Sequence, residues 1–178
     1  MMIRCKRFNL YFCAGLMMLT GCQSAESQRQ HAISTLRIHL EAPREASDSS
    51  QQISISRHHP LPMRVLKDPI LDESYVSKAE VVDEPGGFRL RIQFDRRGSL
   101  LLEQRSAQNQ GKHLAIYSEF AGPDGKTQQT RWLAAPRLQQ RIADGTLLFT
   151  PDASREETEQ IALGLTNVAR KREQPLNW

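Results

Sequence analysis

Cysteine is scarce in this chain of 178 residues, and aromatic side chains make up only 6% of it. The three cysteines are Cys5, Cys13 and Cys22, all near the beginning, so no disulfide framework holds the body together. There is no Gly-x-Ser-x-Gly elbow and no Cys/His cluster at metal-ligand spacing. A nucleotide loop is also missing, because no glycine stands at the required spacing before Gly111-Lys112 and neither Ser nor Thr follows the lysine. Charge of one sign is not in excess either: 24 basic residues face 20 acidic ones, a formal net of +4. Together these absences argue against a nucleotide-dependent enzyme, a metalloenzyme and a disulfide-stapled scaffold. The 39% of hydrophobic residues is enough for one packed core, and 25% charged residues argues against a wholly disordered chain.

What is present begins at the first residues. Arg4, Lys6 and Arg7 form a positive region, and the uncharged run 10–19 is too short to span a hydrocarbon core of about 30 Å as a helix. Leu19-Thr20-Gly21-Cys22 follows, the pattern of a bacterial lipobox. The expectation is a signal peptide over 1–21, cleaved before Cys22, whose thiol carries lipid. Cleavage takes away three basic residues and no acidic one, leaving 21 against 20 and a net charge of +1. That near-neutrality, with export, argues against a nucleic-acid partner. The lipid bilayer becomes the first expected partner, since each buried CH₂ contributes about 0.8 kcal/mol and two or three acyl chains hold firmly. Residues 22–32 read as a polar tether. Gln23 rather than Asp directly after the lipidated cysteine points to the outer membrane, facing the periplasm, under the sorting rule of many Gram-negative envelopes.

The body reads as α+β, with an antiparallel or mixed sheet and two to three helices packed on it. Leu36, Ile38 and Leu40 alternate with polar residues, as do Ile53 and Ile55, which predicts an N-terminal β-hairpin over 33–62 with a long polar loop from Arg44 to Gln52. His58 and His59 are adjacent and point to opposite faces of an extended chain, so no metal site is expected. Asp72 is placed to cap a short helix through about Val76, and 79–82 reads as extended. Glu84-Pro85-Gly86-Gly87 predicts a turn, and Phe88, Leu90, Ile92 and Phe94 alternate with Arg89, Arg91, Gln93 and Asp95 as a half-buried strand. Arg89 and Arg91 share a face, either solvated or available to phosphate or lipid headgroups.

Further along, 98–108 predicts a helix ended near Asn109-Gln110-Gly111, and 113–120 a strand with Leu114 and Ile116 inward. Pro123-Asp124-Gly125 turns the chain, and 127–133 returns as the hairpin partner. A helix is predicted over 137–143, a short strand over 146–149, and a last helix opened by a Ser154/Glu157 capping box with Ile161, Leu165 and Val168 on one stripe. Tyr117 and Trp132 are the candidate binding residues on the hairpin, either exposed anchors or core.

Three runs then carry a resemblance: Gly98 and Ser106-Ala107-Gln108-Asn109-Gln110-Gly111-Lys112-His113-Leu114-Ala115-Ile116; Ala134-Ala135-Pro136-Arg137 through Asp144-Gly145; and Phe149-Thr150-Pro151-Asp152-Ala153-Ser154 through Thr158. In order and spacing, over roughly Val65 to Ala169, they resemble the periplasmic head subdomain of the SecD/SecDF translocase subunit. The resemblance implies a head-like α+β domain over 63–178 and contact with a protein or peptide partner. It implies no cofactor and no catalytic residue. The family's short Asp-Gly hairpin is replaced here by a longer loop over 119–131, and the second glycine expected near Leu148 is missing. With no membrane helices expected after Trp178, the resemblance carries no proton-driven motor. Docking to one fixed envelope complex is the alternative reading, and an envelope enzyme a third. For the anchor the expected outcome is direct: a Cys22→Ser variant loses acyl label and leaves the membrane fraction, and a variant that stays acylated contradicts the lipoprotein reading.

Overall fold

The computed structural model describes residues 31–43, 46, 48–122, 124 and 127–174. The expected signal peptide, Cys22 and nearly all of the tether lie outside the described residues, as do Pro123 and Gly125 of the expected turn. Residues 32–178 form one compact unit. Among the described residues no helix is long and apolar enough to cross a membrane.

Nine strands and two α-helices are described. Strands β1 (Arg37–Leu40), β2 (Ser50–Ile55), β3 (Leu61–Leu66), β4 (Leu71–Asp72), β5 (Val76–Glu84) and β6 (Gly87–Phe94) precede helix α1 (Arg96–Gln108). Strands β7 (Leu114–Ala121), β8 (Gln128–Ala134) and β9 (Thr146–Phe149) follow, and helix α2 (Arg155–Glu173) ends the described chain. They build a four-stranded sheet in the order β4-β1-β7-β8, a three-stranded sheet β5-β6-β9 and a β2-β3 ribbon. Every pairing is antiparallel.

Alternation in sequence becomes two faces in space. On one face of the four-stranded sheet Leu36, Ile38, Leu114, Ile116 and Phe120 are fully buried with Leu90, Ile92, Ile161 and Leu165 of the other elements. On the opposite face the β2-β3 ribbon packs through Ile53, Ile55 and Val65 against Ala115, with Trp132 beside them. The turn between β5 and β6 is the predicted one: Glu84 pairs with Gly87, and Gly86 takes φ +89°, which a side chain would make costly.

Helix α2 joins the sheets. Its capping box is complete, Ser154 accepting from Glu157 N–H and Glu157 accepting from Ser154 N–H. Thr158, Ile161, Ala162, Leu165 and Ala169 make the buried stripe, while Val168, predicted to lie on it, is only half-buried. At Gly164 the helix meets the start of β1 so closely that a Cβ would stand 2.6 Å from Ser34 N. Thr166 Oγ1 accepts from Ala79 N–H and donates to Ala79 O, so the outer edge of β5 is covered by the helix.

Three expectations are corrected. The N-terminal hairpin over 33–62 is not formed by the two strands expected: β1 lies inside the four-stranded sheet between β4 and β7, and β2 pairs with β3 across the expected boundary at 62/63. The expected loop is shorter, because Ser50, Gln51 and Gln52 already belong to β2. The helix expected over 137–143 is an extended strap held by separate anchors: Leu138 N–H donates to Lys112 O, Gly111 N–H donates to Leu138 O, and Ile142 N–H donates to Ser106 Oγ. Elsewhere the 72–76 segment is a short 3₁₀ turn over Glu73–Tyr75, capped by Asp72 as expected.

The Arg131–Glu157 ion pair fastens β8 to the start of α2, with both Glu157 oxygens accepting from Arg131, at 2.8 and 3.0 Å. These bonds, helped by the Ser154 N–H, hold the Glu157 carboxyl down to about 2. Its folded value lies below the unfolded one, so its stabilisation is present above the ordinary carboxylate range and is lost as pH falls through the folded value. The wild type is expected to lose about 3 kcal/mol of stability between roughly pH 5 and 2 from this group. Urea unfolding followed by circular dichroism should show that slope flattened in Glu157→Gln.

Candidate functional site

Among the recesses that flank the sheets, one gathers the candidate binding residues Tyr117 and Trp132. Tyr117 and Trp132 are directly opposite on β7 and β8, their rings 5.2 Å apart and tilted. Both are half-buried, Trp132 standing against the ribbon cluster, so they are neither free anchors nor fully enclosed core. His39 meets Trp132 edge-on at 5.3 Å. With Arg37, Gln51, Gln52 and Ile53 these residues line a cleft of about 390 Å³ on the ribbon side of the four-stranded sheet.

The electrostatics of this cleft follow from burial. His39 Nδ1 lies 2.9 Å from Leu66 O, which fixes the proton on Nδ1 and leaves Nε2 as an acceptor. Burial pushes the imidazole below its ordinary 6.5, the Leu66 carbonyl opposes this, Arg37 adds to it and Asp68 works against it. Tyr117 Oη donates to Glu119 Oε1 at 2.9 Å, and burial together with that carboxylate raises the phenol. Cys22, the other predicted site residue, lies outside the described residues.

The second recess was not foreseen residue by residue. It is a groove running past β9, made of two adjoining clefts of about 510 and 690 Å³ that share Arg89 and Pro136. Its apolar lining comes from Ile55, Pro136, Leu138, Ile142 and Phe149. The open element is the edge of β9. Phe94 N–H donates to Gly145 O, so in the antiparallel register the backbone groups of Leu147 and Phe149 face β6 while those of Thr146 and Leu148 face outward. Thr146 N–H is taken by the Asp144 carboxylate at 3.1 Å. Leu148 N–H and C=O have no partner among the described residues.

Around the groove most cations are already matched. Arg89 pairs with Glu84, Arg91 with Glu80 and Arg141 with Glu103, while half-buried Arg89 lines both clefts. Arg137 instead donates through Nε to Gly111 O. Among the described residues no three His, Cys, Asp or Glu side chains are placed to hold a metal ion. His113 shares a bond with Glu41, whose carboxyl burial would raise but the His113 side chain and backbone N–H bring below its ordinary value.

A direct check of the cleft is the state of His39. Long-range ¹H–¹⁵N NMR should find the Nδ1–H tautomer and a titration midpoint below 6.5. A midpoint at or above 6.5 contradicts the buried, carbonyl-bound imidazole.

Neither a family model nor a curated protein sequence matches the chain. Among solved structures it is similar to SecDF, described as a membrane component that enhances protein export, at 19% identity and TM-score 0.54, over 85% of this chain and 71% of that one. It is likewise similar to SecDF in a super-membrane-facing form, at 20% identity and TM-score 0.54, over 84% of this chain. There the chain spans 21% of the other's length. What it shares with SecDF at these identities is an α+β fold of antiparallel sheets with packed helices.

Proposed function

We propose that this chain is a lipid-anchored protein of the bacterial envelope that captures extended polypeptide without catalysis, in support of protein export or envelope assembly. The anchor is the acylated Cys22, and the membrane is the outer one. The observation that carries the reading is the open β9 edge: Leu148 presents an N–H and a C=O with no partner among the described residues, beside a groove of mixed polar and apolar lining. Backbone groups recognise any extended chain regardless of its sequence, because every non-proline residue offers the complementary pair. The apolar parts of the lining, such as Leu138 and Ile142, then hold apolar side chains that fall on them. Support for an export role comes from the fold shared with SecDF, a component that enhances protein export.

Capture without turnover is the reading proposed. Serines, carboxylates and histidines are present, but the histidines of the described body are separately engaged or exposed: His39 on Leu66 O, His113 on Glu41, and His58 and His59 at the ribbon tip.

The test exploits the direction of one N–H. Proline at position 148 removes the outward donor, together with the Leu148 side chain on the groove, and leaves the β6–β9 ladder intact, which is where an edge strand tolerates it. Fluorescence anisotropy with a labelled, reduced and alkylated model protein should show binding by the full chain and a loss of about tenfold in Leu148→Pro, the effect of one backbone hydrogen bond. Equal affinity for both forms contradicts strand addition. Recovery of one stoichiometric folded partner, with no affinity for unfolded chains, replaces capture with docking to a fixed complex.

A further inference from the structure

The ribbon side of the four-stranded sheet holds a set of groups that strand addition at β9 does not use. Arg37, Tyr117 and Trp132 stand side by side on β1, β7 and β8, the register pairing Arg37 with Tyr117 and Tyr117 with Trp132. At about 4.8 Å per strand, the first and last positions are roughly 10 Å apart. Arg37 is exposed, and its side chain makes no ion pair or hydrogen bond with a described residue. The acid opposite it on β4 is Asp72, but that carboxylate is turned away and accepts from Ser74 N–H and Ser74 Oγ. A guanidinium is therefore left open at one end of a cleft whose other end is aromatic.

We propose that this cleft binds a carboxylate carried on a ring or other flat apolar body. The planar fork of Arg37 matches a carboxylate with two parallel N–H donors. The faces of Tyr117 and Trp132 receive the body, giving contact area with few rotatable bonds to freeze. His39, neutral with its Nε2 lone pair available, adds an acceptor for a ligand N–H or O–H and no second positive charge. Gln51, on the same side of β2 as Ile53, brings an amide to the rim. Among the described residues Arg37 is the only cation lining the cleft, which suits one carboxylate better than a doubly charged phosphate. A volume of about 390 Å³ holds a small acid or one terminal residue of a chain. Two sources carry this chemistry, a free small acid and the C-terminal residue of a peptide.

The experiment uses the full chain in detergent with Trp178→Phe, which leaves Trp132 as its single tryptophan reporter. Four probes are titrated: 3-phenylpropionate, its amide, and the tripeptide Ala-Ala-Phe with a free or an amidated C-terminus. The expected result is a saturable change in Trp132 emission with the acids and an affinity about tenfold weaker for the amides. Arg37→Gln and Gln51→Glu each weaken acid binding by a similar factor, the second by placing a like charge at the rim. Leu148→Pro leaves all four titrations unchanged, so this site and the β9 edge succeed or fail separately. Tighter binding of the free tripeptide identifies a chain terminus as the ligand, and tighter binding of 3-phenylpropionate identifies a small acid. No saturable response to either acid, or acids and amides binding alike, overturns the proposal. Since Arg37 and Gln51 are exposed, both variants should keep the wild-type melting curve, and if one does not fold the other decides.

Discussion

The contact on which most of the architecture depends is the pair formed by Arg131 and Glu157. Its side chains are only 13% and 10% exposed, so each charge has been taken out of water and needs full replacement of what it lost. That replacement comes from several directions at once. Glu157 also accepts from Ser154 N–H, and Arg131 also donates to Asp152 O and lies 5.4 Å from the centre of the Phe120 ring. One guanidinium thus ties the edge strand β8, the 152–154 turn and the first turn of α2 to a core phenylalanine. Asp152 carries the knot outward, its N–H donating to Leu133 O and its carboxylate accepting from Arg57 N–H at the ribbon tip. Because α2 is the element that packs on both sheets, fixing its start fixes how the sheets meet.

Local chemistry was the part that could be read from the sequence. The capping box at Ser154 and Glu157, the Pro85-Gly86 turn and the alternation of 88–94 each depend on residues a few positions apart, and each appears as expected. Pairing between distant strands could not be read in this way. Strand β1 lies next to β2 in sequence but bonds to β7, with Ile38 opposite Ile116, because its apolar side completes the main core and not the ribbon cluster. The 137–143 strap failed for another reason. Leu138 and Ile142 are four apart, the spacing of a helix face, but each is anchored separately to Lys112 and Ser106, and tertiary contacts override the local pattern.

The candidate sites divide along the same line. Tyr117 and Trp132 were visible as residue types, and the structure brings them together as cross-strand neighbours. That Arg37 stands in the same row was invisible, since the row exists only through the β1–β7 register. The open edge of β9 was hidden more deeply. Leu148 looks like any core leucine in sequence, and what sets it apart is the direction of its backbone groups.

The junction at the start of the domain has a mechanical consequence. Ala32 O accepts from Asn167 Nδ2, Ser34 sits against Gly164, and the chain then runs directly into β1, which is hydrogen-bonded on both sides. A force applied through the upstream residues therefore pulls β1 along its own length. The bonds to β4 and β7 lie across that pull and share it, so they must yield together rather than open one after another. The domain is gripped by an inner strand of its four-stranded sheet, and tension applied ahead of β1 is met in shear.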